Sequence, residues 1–219
     1  MHEPDVVITD LVLAVECGLL AALLWQRPPG LLRLRFVALF IALGAAALLG
    51  AISHGFFPHQ FAPWYDADTL VEELIWRGTM VSIGVAALAA WAAAVRVLGV
   101  QHTAQNVLVT VGVSMFLTYV LWIIFVSDEF RYAILYYTPA AVFLGIALTL
   151  EWRRDRDPNI ALGILGMALT FVAAGIQQAE ISLHPLYFDY NALYHVVQGV
   201  GLFLIYRAAA RLTGARAAR

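Results

Sequence analysis

Seven stretches of roughly 20 apolar residues, each long enough to cross a hydrocarbon layer about 30 Å thick, recur along this 219-residue chain. Only an α-helical bundle can carry so many such segments, because backbone amides inside a bilayer must bond within their own helix. Charged, Pro or Gly punctuation places the helices near 6–26, 36–57, 74–96, 105–126, 132–151, 159–180 and 191–210. With 62% hydrophobic and 13% charged residues and a mean hydropathy of +0.80, a water-soluble enzyme is excluded. The expected architecture is all-α and integral to a membrane, one seven-helix transmembrane domain over residues 1–219 with no room for a second.

All thirteen basic residues are Arg. The absence of Lys removes any Schiff-base or Lys-nucleophile chemistry. The single Cys17 allows neither an intrachain disulfide nor a Cys-built metal site. Eleven of the arginines fall in the connections 1–2, 3–4 and 5–6 and in the tail, leaving Arg77 and Arg131 on the opposite side. The positive-inside rule then puts the N-terminus outside and the C-terminus in the cytoplasm, which an odd number of spans requires. The acidic start, Met1 to Asp5, reads as the flank of a retained helix rather than of a cleaved signal. Nothing suggests nucleic acid. Arg-only basicity with abundant Ala fits a GC-rich bacterial genome and hence a cytoplasmic membrane. Pro139 is expected to kink helix 5, and Gly163, Gly166, Gly199 and Gly201 to mark close packing of helices 6 and 7.

Polar residues inside the spans carry the chemical information, since ionisable groups among acyl chains are costly and face a partner or a function. His54 lies about a turn inside the end of helix 2, and His195 about a turn inside the start of helix 7. The two helices run in opposite senses, so the imidazoles come to similar depth, the condition for sharing one ion. Zinc accepts neutral imidazole and in catalytic sites keeps three protein ligands plus a water. Candidates for the third ligand are His184, Asn191, Asp66, Asp68 and Glu180. In one unbroken helix His184 and His195 would stand about 16 Å apart. Pro185 and the segment to Tyr190 indicate a loop instead, able to bring His184 back over helix 7. The same two histidines could also serve as axial haem ligands, without any other haem signature. On helix 1, Asp10 is expected near the boundary and solvated. Glu16 sits at mid-span, where Gln177 or Gln178 could bond it or where it could relay protons. Asp66, Glu72, Asp128, Glu129 and His59 read as ordinary solvated loop residues on the same face.

With a His closing helix 2 and another opening helix 7, the chain resembles the CREST superfamily of seven-helix membrane proteins, which includes alkaline ceramidases, the progestin and adipoQ receptors and the Per1 lipid-remodelling proteins. The resemblance covers the topology and a few motif positions. It implies zinc held by His54 and His195, and an Asp, here Asp66 or Asp68, near the metal. The family's Ser one turn before the first His falls on Gly50, with Ser53 beside His54, and the first His of its helix 7 motif falls on Asn191. The stretches His184 to Phe188 and Asn191 to His195 also resemble an uncharacterised bacterial branch.

The function expected first is a zinc-dependent intramembrane hydrolase of a lipid amide or ester. In it His54, His195 and His184 hold the ion, Asp66 or Asp68 accepts the water's proton, Ser53 is a further catalytic candidate, and Asn191, Glu180 and Glu16 support the site. Its lipid would come from the outer leaflet, with Trp64, Tyr65, Tyr187 and Tyr190 at headgroup level. The alternatives are a seven-helix protein that binds or senses a lipid, metal or small molecule without chemistry, and a membrane subunit whose outer loops dock a partner. A homo-oligomer is compatible with either.

Overall fold

The structure, a computed structural model, describes residues 3–57, 70–184 and 187–217. Seven α-helices occupy them: α1 Pro4–Trp25, α2 Leu31–Phe56, α3 Leu70–Leu98, α4 His102–Phe125, α5 Phe130–Asp155, α6 Pro158–Gln178 and α7 Tyr190–Ala217. All seven are long and apolar enough to cross a membrane, which makes the chain a multi-pass helical membrane protein by length and composition.

Local chemistry sets the helix ends. Pro opens α1 and α6, where a missing N–H costs nothing. Asp157 caps α6 by accepting the Asn159 amide at 2.8 Å. Past α3, Gly99 takes a left-handed φ of 62° that stops the helix. Helix α2 starts several residues before the expected position, so Arg33 belongs to its first turns. The Arg33 guanidinium lies over the Trp25 ring and donates to the carbonyls of Trp25 and Arg27, closing the exposed end of α1. Helix α7 likewise continues past 210 because Arg207 and Arg211 are held by partners at the start of α6. Helix α5 runs through Pro139 without interruption.

Six helices form a ring in the order α1, α2, α3, α5, α6, α7, with α7 returning to α1, while α4 packs outside it, mainly on α3. Alanines on α3 line the ring interior against the buried Phe36 and Phe40 of α2 and Leu144 and Leu148 of α5. Helix α4 is fastened by Trp91, whose indole N–H donates to the Leu108 carbonyl at 2.8 Å and whose ring fills the space left by Gly112. Tyr119 of α4 donates to the Met80 carbonyl on α3 at 2.9 Å. The tightest seam joins α6 and α7. A methyl group at Gly163 would stand 2.4 Å from the Ala208 Cβ, and one at Gly166 would stand 2.5 Å from the Gly201 carbonyl oxygen. Gly163, Gly166 and Gly201 are thus the expected packing positions. Gly199 differs, for it faces the Glu16 carboxylate of α1.

At the end of the bundle holding most arginines, Asp157 also receives the Arg211 guanidinium. Burial works against its charge, but the Arg211 and Asn159 hydrogen bonds outweigh that and hold the carboxyl below its ordinary value of 3.8. A depressed carboxylate stabilises the fold above its unfolded-state value and ceases to do so as pH falls through the folded one. Asp157→Asn is therefore expected to lower the thermal unfolding midpoint near neutral pH, with the gap to the parent closing in strong acid. A gap independent of pH would contradict this reading.

Candidate functional site

Eight residues of α1 are buried, and six of them, Val6, Asp10, Leu13, Cys17, Leu20 and Leu24, follow a seven-residue rhythm. Asp10 is in phase with them and only 3% exposed. The expectation that it lies solvated at the boundary is therefore corrected, because the apolar periodicity of α1 turns it inward. Its carboxylate reaches across to α2 at Gly50, where a Cβ would stand 3.1 Å from Asp10 Oδ2. The missing side chain at Gly50 makes room for an acid from another helix.

Asp10 Oδ1 lies 3.2 Å from His195 Nε2 on α7. The other ring nitrogen, Nδ1, is 3.2 Å from the Thr9 hydroxyl, so α1 grips His195 at both nitrogens. His54, at the end of α2, bonds through Nδ1 to Glu3 Oε2 at 2.6 Å. The Glu3 contact fixes the tautomer and turn of that ring, as second-shell carboxylates do for metal-binding histidines. Asp10, His54 and His195 line one cavity of about 190 Å³, together with Asn191, Gln177, Gln198, Tyr190 and Tyr194 as polar wall and Leu13, Leu43, Ile83, Trp76, Phe130 and Leu202 as apolar wall. Asp10 Oδ2 is buried in this chamber with no hydrogen-bond partner among the described residues. Orphaned buried oxygens are rare in folded proteins and point to something that pairs them.

The connection before α7 orients the chamber's other helix. Glu180 takes a left-handed φ of 52° where α6 ends. His184 and Phe188 then exchange both backbone hydrogen bonds at 3.0 Å, closing a short reversal. Asp189 accepts the Ala192 amide at 2.8 Å, capping α7, and its own N–H donates to Asp5 on α1 at 3.0 Å. Burial raises the Asp189 carboxyl above its ordinary value despite the Ala192 hydrogen bond, and the charges of Asp5 and Glu3 add to the rise.

The loop expected at 184–190 is present, but His184 stays on its exposed side, its ring 4.8 Å from that of Tyr187, and does not line the chamber. Glu180 is exposed and also outside the lining. Ser53 is buried but does not line the chamber, and its carbonyl bonds the Phe57 amide within the helix. Asn191 does line it, one turn before His195. Glu16 sits at the α1–α7 seam against Gly199, away from Gln177 and Gln178, which bond each other. Asp66 and Asp68, with His59, Trp64 and Tyr65, lie outside the described residues. Among the described residues, no three His, Cys, Asp or Glu side chains stand close enough to hold one metal ion as placed.

Sequence reasoning missed Asp10, although its seven-residue spacing to Cys17 was visible. The sequence model of a family of unknown function, DUF6962, matches residues 6–213, nearly the whole chain. No curated protein and no solved structure matches it. The chain belongs to that family of unknown function.

Proposed function

We propose that in this member of a family of unknown function the Asp10–His54–His195 chamber is a divalent-metal site, and that its cation, zinc by donor chemistry, serves hydrolysis of a lipid amide or ester. The observation that carries the reading is the buried, unpaired Asp10 Oδ2 beside a histidine. The donor set suits zinc, and the 3.2 Å between Asp10 Oδ1 and His195 Nε2 suits two ligands of one tetrahedral ion, which stand about 3.3 Å apart at the usual bond lengths. A third donor is not in place among the described residues, and in this reading His54, which lines the same chamber, closes on the pair. When bound, zinc supplies a Lewis acid and water ionised near neutral pH. The chain's own residues do the rest. Glu3 sets the tautomer of His54, Thr9 holds the orientation of the His195 ring, and Asn191, Gln198 and Tyr194 offer hydrogen bonds to a polar headgroup. Leu43, Ile83 and Phe130 accept its apolar portion. Asp66 or Asp68, outside the described residues, keeps the proton-accepting role of the hydrolase expectation. Within the described residues, Asp10 Oδ2 is a chamber carboxylate oxygen without a hydrogen-bond partner.

In this reading the arginine asymmetry sets the topology, with the N-terminus and chamber on the outer side of a bacterial cytoplasmic membrane and the C-terminus within. A second reading, a chamber that binds its ligand without chemistry, is favoured by the two pairs His54–Glu3 and His195–Asp10, which tie α1 to α2 and α7. Purified protein loaded with zinc and offered a panel of lipid amides and esters separates the two. The hydrolase reading expects fatty-acid release that a chelator abolishes and zinc restores. Stoichiometric zinc with no turnover favours the binding reading, and a loaded parent protein that retains no zinc removes the metal site itself.

A further inference from the structure

The opposite end of the bundle holds a second concavity, independent of the chamber. A cleft of about 440 Å³ lies between the end of α1, the start of α6 and the last turns of α7, with Arg27, Asn159, Tyr206, Arg207 and Arg211 around it. On α7, residues 207, 210, 211 and 214 follow the spacing of one helical face. Ala210 and Gly214 leave its floor low, and a Cβ at Gly214 would meet nothing within 4 Å.

Two of the guanidiniums are held in place. Arg207 Nη2 donates to Asn159 Oδ1 at 2.8 Å, and Asn159 is itself tied to Asp157. Arg211 is neutralised by Asp155 and Asp157. Arg207 has a neutral partner only, and Arg27 pairs with no carboxylate among the described residues, so two positive charges face this space uncompensated. Arginines serving topology alone need only be solvated, whereas Arg207 is braced by an Asp–Asn relay beside an open volume that Arg27 also lines. Arginine matches the oxygen geometry of phosphate. At this same end Arg33 lies over Trp25 and Arg156 over Trp152, the aromatic and cationic pairing that marks headgroup depth.

We propose that this cleft binds a phosphate group, presented by an anionic phospholipid headgroup or by free phosphate, through Arg27 and Arg207. Native mass spectrometry of the detergent-solubilised chain titrated with phosphatidylglycerol, beside thermal unfolding in inorganic phosphate, tests this. Retention of phosphatidylglycerol is expected to fall about tenfold in Arg27→Gln and again in the double variant with Arg207→Gln, as loss of charge-assisted hydrogen bonds implies. Arg131→Gln, at the other end of the bundle, is expected to retain it like the parent. Arg27 is exposed, so its variant is expected to keep the fold. That pattern, with inorganic phosphate inert, assigns the headgroup. A phosphate-dependent rise in the unfolding midpoint that the same variants lose assigns the free anion. Equal lipid retention by parent and double variant, without any phosphate effect, overturns the proposal.

Discussion

Gly166→Val is expected to lower the thermal unfolding midpoint of the detergent-solubilised protein far more than a substitution at an open glycine of α6. The Cβ alone would stand 2.5 Å from the Gly201 carbonyl oxygen and 2.9 Å from the Ile205 amide nitrogen. Both are backbone atoms of α7 that cannot rotate away, so the helices must part. Overpacking of this kind costs about 1–3 kcal/mol even where side chains can adjust. In a bilayer, where close van der Waals packing replaces the hydrophobic effect between helices, this packing carries the seam beyond the Arg207–Asn159 and Arg211–Asp157 bonds at its one end. Gly175→Ala on the same helix meets nothing within 4 Å and is expected to be neutral or slightly stabilising, since Ala is the better helix former. Similar midpoints for the two variants would show that the α6–α7 seam is looser than described.

The second large effect is expected at Asp10. Asp10→Asn keeps the shape of the side chain while removing the charge that a cation needs. Zinc affinity is expected to fall by more than the roughly 10–100-fold typical of losing a second-shell partner. Glu3→Gln, which weakens the hydrogen bond orienting His54, is expected to fall inside that range. Equilibrium dialysis with zinc measures both. Affinities unchanged in both variants would place any bound zinc elsewhere. Asp10→Asn weaker than the parent with Glu3→Gln unchanged would mean that His54 does not join the ligand set.

Length and polarity made the seven helices legible, because the bilayer dictates both. Their ends were less so. Arg33 and Arg211 fell outside the expected spans, yet they extend α2 and α7 because their side chains find carbonyl or carboxylate partners on neighbouring segments. The position of α4 outside the ring was not legible at all, since lipid and protein interior are equally apolar and hydropathy does not separate them. At the site, the common depth of His54 and His195 followed from two antiparallel helices, and both line the chamber. Asp10 was hidden by its nearness to the end of a span, where an acid is usually solvated. The phase of its helix and the vacancy at Gly50 decide otherwise. His184 stays outside because a two-bond reversal with Phe188 fixes the chain there, a feature that the Pro185 signal announces only as a loop.

Crystals of the zinc-loaded protein measured at the zinc absorption edge test the metal site most directly. A single anomalous peak about 2.0–2.2 Å from His195 Nε2 and from an Asp10 oxygen, with the His54 ring turned towards it, is the predicted result. A map with no peak in the chamber, and Asp10 still 3.2 Å from His195, would contradict the metal site and with it the hydrolase.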